Sequence, residues 1–150
     1  MALDNAKTHF YQIDETVVTL VQQFEDCTLP RTDWNHAAHL TIAVWYLSQY
    51  SESEATIRIR TGIQHYNHCN GIANTKNSGY HETLTLFWIF IARRFLATAN
   101  PNVSVSALVN DFILTYGERK SLFCEYYSDE LIMSSEARQT WVAPDLKSLD

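Results

Sequence analysis

The sequence predicts an all-α fold, a single-domain helical bundle of about five main helices plus short C-terminal helices, with residues 1–150 as one domain. Three observations predict it. Apolar residues recur at three- and four-residue spacing through most of the chain, as they do in helices with one buried face. Gly and Pro number only 4 and 3, so elements run long, unlike those of a turn-rich β-sandwich. Hydrophobic residues make up 46% of the 150 residues, which is enough for a real core and too many for a disordered chain.

The elements follow in order. A first helix is predicted over 11–26, with Ile13, Val17, Leu20, Val21 and Phe24 on one face, stopped by Thr28-Leu29-Pro30. A second spans 34–50, with Thr32 or Asp33 as its N-cap. Its stretch 40–47 is apolar around the whole circumference, which makes it the central helix. The third follows the capping box Ser51-Glu52-Ser53-Glu54 and buries Ala55, Ile59, Ile63 and Tyr66. It ends near Cys69, before an Asn/Gly-rich loop. The fourth spans 80–98 with a stripe of Leu84, Trp88, Ile91 and Phe95. The fifth starts at a Ser104 cap, buries Val105, Leu108, Val109, Phe112 and Tyr116, and stops at Gly117. Shorter helices are expected near 119–126, 129–133 and 136–142, with Ser128 and Ser135 as caps, and the tail packs through Trp141 and Leu146. Short connections make neighbours antiparallel, so the start of helix two, the end of helix three and the start of helix four share one end.

Charge and cysteine content narrow the function classes. The net charge is −6, and Arg58/Arg60 and Arg93/Arg94 are isolated pairs. Nucleic acid and anionic membrane surfaces are therefore not expected partners, because both need clustered cations. The stretch 84–97 is broken by Arg93 and Arg94 and is too short to span a bilayer. Cys27, Cys69 and Cys124 are odd in number, distant in sequence and in no C-x-x-C pair. They read as reduced thiols of a cytoplasmic protein. The N-terminal residues lack the apolar region of a signal peptide.

The histidines mark where to look for chemistry. Of six, His36, His39, His65, His68 and His81 fall at the shared end, and His9 reads as an exposed N-terminal residue. On a helical wheel His36 sits within the apolar stripe of helix two, His39 at its edge and His81 beside Trp88, whereas His65 and His68 point away as a solvated face. His36, His39 and His81 are thus the candidate metal ligands, for a divalent transition metal such as zinc, iron or copper. Glu82 is the candidate fourth ligand or general base. Trp34, Tyr80 and Trp88 form an expected aromatic wall for a small-molecule ligand. Arg138 is a candidate clamp for a carboxylate or phosphate, or a partner of Trp141. The first functional reading is a small-molecule-binding protein or enzyme with a histidine-lined pocket, a metal-dependent hydrolase or transferase if catalytic. The alternative is a non-catalytic homodimer whose histidines are satisfied core residues. No H-E-x-x-H, G-x-S-x-G or glycine-rich phosphate loop is present.

Two stretches, Trp34-Asn35-His36-Ala37-Ala38-His39-Leu40 and Tyr80-His81-Glu82-Thr83-Leu84-Thr85, together with the region from Ala137-Arg138 to Leu146, resemble a group of small bacterial all-helical proteins. That resemblance implies a shared site and no particular reaction. A looser analogy links the chain to DinB/YfiT-like bundles, which hold a metal with three histidines and often transfer small thiols. Those bundles usually draw a ligand from a late helix, and this chain has no histidine after His81.

Overall fold

The computed structural model describes residues 14–150. The expected first turn of helix one, including Ile13, and the expectation for His9 lie outside the described residues. The helices are α1 Asp14–Glu25, α2 His36–Gln49, α3 Glu52–Cys69, α4 Glu82–Thr98, α5 Val105–Tyr116, α6 Asp129–Ile132 and α7 Ser135–Gln139. Single 3-10 turns stand at Arg31–Asp33 and Leu122–Glu125. Among the described residues there is no strand, and no helix is long and apolar enough to cross a membrane.

α2 is the central element and packs against α1, α3, α4 and α5. Its circumference explains this position. Leu40, Ile42, Ala43, Val44 and Tyr46 point in successive directions and all are buried, which requires neighbours on every side. The α1–α3 approach is close because Gly62 has no side chain. A Cβ there would stand 2.9 Å from the Phe24 ring. Phe24 in turn packs on Trp34 and Tyr66, with ring centroids 5.0 and 5.9 Å away, and those two rings lie 5.0 Å from each other.

Several helix ends differ from expectation, each for a local reason. α2 begins later than predicted because 31–33 close a 3-10 turn, and Asn35 rather than Thr32 or Asp33 caps it, accepting the Ala38 N–H at 2.9 Å. Ser51 caps α3 through the Glu54 N–H at 3.2 Å, as the capping box predicts. α4 starts at Glu82, so His81 is its cap and not part of its first turn. Ser104 and Ser128 cap α5 and α6, whereas α7 is capped by Ser134 and not Ser135. Gly117 closes α5 with φ −61°, an ordinary right-handed conformation and not the left-handed one usual for a terminal glycine. In α4, Phe87 and Ile91 fill the core while Leu84, Trp88 and Phe95 are half-buried. The tail is held differently from the prediction, since Trp141 and Leu146 are exposed. It is tied instead by the Tyr127 hydroxyl donating to Val142 O, the Leu146 N–H donating to Tyr126 O, and the Asp145 carboxylate accepting from the Ser128 N–H and hydroxyl.

Candidate functional site

The start of α2, the end of α3 and the start of α4 meet at one end of the bundle, where a cavity of about 430 Å³ opens. Its lining includes Trp34, His36, His39, Tyr80, His81 and Trp88, six of the eight residues singled out from the sequence. Ala43, Ile59, Ile63, Ile72, Leu84 and Ile89 give it an apolar floor. Among the described residues that line it there is no carboxylate.

The imidazoles have fixed protonation patterns because their partners are backbone groups. His81 accepts the Leu84 N–H on Nδ1 at 3.1 Å, and its Nε2–H donates to Ile132 O at 2.9 Å. Both nitrogens are used, and the ring is neutral. His36 Nε2–H donates to Tyr116 O at 3.1 Å, which leaves Nδ1 with a lone pair. His39 Nδ1–H donates to Asn35 O at 2.8 Å, which leaves Nε2 with a lone pair, and its ring lies 3.8 Å from that of Trp34 in a stack. Burial holds the pKa of His36 below its ordinary value, and the Lys120 ammonium adds to the effect. Desolvation also lowers His39, ahead of the charges of His36 and Lys120. Burial lowers His81 as well, ahead of the nearby Arg138 charge.

This geometry corrects the metal expectation. His81 has no lone pair left for an ion. Among the described residues, His36, His39 and His81 do not bring their ring nitrogens into a ligand set. Glu82 is not placed as a general base either. It is buried, its two oxygens take the Arg60 guanidinium at 3.1 and 2.8 Å, and one also accepts the Tyr80 hydroxyl at 2.6 Å. This arrangement ties α3 to α4 outside the cavity lining. Arg138 donates to the carbonyls of Lys76, Ser78, Gly79 and Tyr80, so it braces the 76–80 loop instead of clamping a ligand. The Gly79–Tyr80 rim of the cavity depends on that brace.

No protein-family model, curated protein or solved structure matches the chain. The site must therefore be read from its own chemistry.

Three lining residues escaped the sequence reading. Asn67, in the last turns of α3, is 7% exposed, and its Oδ1 has no hydrogen-bond partner among the described residues. Lys120 is exposed and is the one cation among the described lining residues. Phe123 completes the aromatic wall from the 3-10 turn after α5. Asn67 shares a helical face with Ile63, and that spacing was available in the sequence. Nothing local distinguishes Lys120 or Phe123. Among the other polar groups of the lining, the Tyr80 hydroxyl donates to Glu82, the Thr85 hydroxyl donates to His81 O, and Asn35 Oδ1 caps α2.

Proposed function

We propose that the chain binds a small aromatic acid bearing a hydroxyl or amino donor in the histidine-lined cavity. The volume of about 430 Å³ is that of a pocket for a small organic molecule. Its walls of Trp34, Trp88, Tyr80 and Phe123 suit a flat apolar body. Two acceptors in its lining keep a lone pair, His36 Nδ1 and His39 Nε2. The ammonium of Lys120, with no carboxylate beside it in the lining, favours an acid group at that side.

This reading rests above all on His36 Nδ1 and His39 Nε2, ring acceptors that keep their lone pairs on two residues of the cavity wall. A ligand donor that meets either lone pair would add a hydrogen bond worth about 0.5–1.5 kcal/mol. The proposal is binding without a defined reaction, because the lining contains no activated nucleophile and Glu82 is engaged elsewhere.

Tryptophan fluorescence and calorimetry with a panel of hydroxylated and amino-substituted aromatic acids test it. Saturable binding is expected, reported by Trp34 and Trp88. O-methylation of the ligand hydroxyl should weaken binding about tenfold, since it removes the donor. Lys120→Ala should weaken it a few-fold. The reading fails if no panel member binds tighter than about 1 mM, or if the methyl ethers bind as well as their parents.

A further inference from the structure

A second cluster lies outside the cavity lining, where the turn after α1 meets the end of α3. His65 and Cys69 are four residues apart and share one face of α3. Cys27 arrives from the turn that follows α1. Ligand atoms of Cys27, His65 and Cys69 all lie within 4.8 Å of one another, and the Cys69 sulfur stands 3.8 and 3.9 Å from the two ring nitrogens of His65. We propose that Cys27, His65 and Cys69 form a zinc site, with the fourth position open to solvent. This site is independent of the cavity and of any ligand bound there.

Distances and donor types both favour it. With zinc–sulfur and zinc–nitrogen bonds of about 2.3 and 2.0 Å, tetrahedral ligands stand roughly 3.5–3.8 Å apart. Closing the cluster around an ion therefore needs movements of about 1 Å or less. Two thiolates balance the dication, and imidazole with sulfur selects zinc over calcium or magnesium. His65 and Cys69 are exposed and Cys27 is half-buried, so an ion has a path in and a water can complete the tetrahedron.

The backbone at Cys27 supplies an independent argument. Its φ is +64°, the left-handed region, and it is the only non-glycine there among the described residues. A side chain in that region costs about 1–2 kcal/mol, which glycine would avoid. The strained turn is nevertheless held in place. The Tyr66 hydroxyl donates to Leu29 O at 2.6 Å, the Asn70 amide donates to Cys27 O at 3.5 Å, and the Cys27 thiol approaches His65 O at 3.9 Å. Strain of this kind gathers where a side chain is presented to a ligand.

The test uses the fully reduced chain, purified without a metal-affinity tag. It is titrated with cobalt(II), and then with zinc(II) against a chromogenic chelator. One equivalent of cobalt should give thiolate-to-metal charge-transfer absorption, and zinc should abolish it. Cys27→Ser and Cys69→Ser should each remove most of that absorption and weaken zinc at least tenfold, whereas Cys124→Ser should change neither. The wild-type cobalt spectrum decides the matter even if a variant fails to fold. Absence of the charge-transfer band, less than stoichiometric zinc, or unchanged zinc affinity in the doubly substituted Cys27→Ser, Cys69→Ser chain would overturn the site.

Discussion

Glu82 shows how a carboxylate in a histidine-rich segment can be structural. Its side chain is 11% exposed and accepts from both the Arg60 guanidinium and the Tyr80 hydroxyl. The carboxylate holds the Tyr80 hydroxyl, whose pKa is pushed up by burial first and then by Glu82. Replacing Glu82 by Ala leaves two donors without their acceptor. Arg60 can turn to solvent because its side chain is 41% exposed, so the loss should be about 2 kcal/mol and not the full cost of a buried unpaired charge. Urea denaturation of Glu82→Ala would measure it. Ligand affinity should change by no more than a few-fold, since the carboxylate does not line the cavity. A large loss of binding at unchanged stability would return Glu82 to the site.

At the scale of elements, the start of α4 depends on a neutral imidazole. His81 Nδ1 accepts the Leu84 N–H as an N-cap, while Nε2–H holds Ile132 O. Protonation would set a second N–H against that of Leu84 and remove the cap. The folded-state pKa of His81 lies below its ordinary value of about 6.5, mainly through burial. The unfolded chain therefore takes up the proton first. Stability contributed by His81 is present at neutral pH. It is lost as pH falls from about 6.5 through the lowered folded value, and no more is lost below that. His36 and His39 act with the same sign. Urea midpoints measured from pH 7.5 to 4.5 should fall accordingly. His81→Asn retains a capping acceptor that does not titrate, so its midpoint should start lower but decline less steeply. An equal slope in the variant would show that the cap does not carry the pH dependence.

Across the whole molecule, stability is organised around α2. Four helices cover it, and Leu40, Ile42 and Val44 are each at most 1% exposed. Its central amide protons, from 40 to 44, should exchange only through global unfolding. The tail from 143 to 150 should exchange much earlier, because few of its backbone N–H groups donate a hydrogen bond and Leu146 is 59% exposed. Hydrogen exchange read by mass spectrometry would check this order. Early exchange of α2 would mean that the bundle opens through its centre. The cavity is built at the start of α2, the end of α3 and the start of α4, so its walls belong to the less protected part of the fold.

The all-helical class, the succession of five main helices, the central place of α2 and most of the serine caps are legible in the residue order alone. Each of these is a local property, set by apolar periodicity and by hydroxyls one position before a helix. The residue order also located one end of the bundle as the place where His36, His39 and His81 gather, because short loops force antiparallel neighbours. How those rings are bonded depends on the folded chain. A ring nitrogen can ligate, donate or accept, and the choice follows from carbonyls and N–H groups that distant segments bring near it. Tyr116 O stands against His36 and Ile132 O against His81, from 80 and 51 residues away. The same holds for Cys27 and Cys69, which carry no pairing signal along the chain and meet because Tyr66 and Asn70 fasten the turn after α1 to the end of α3.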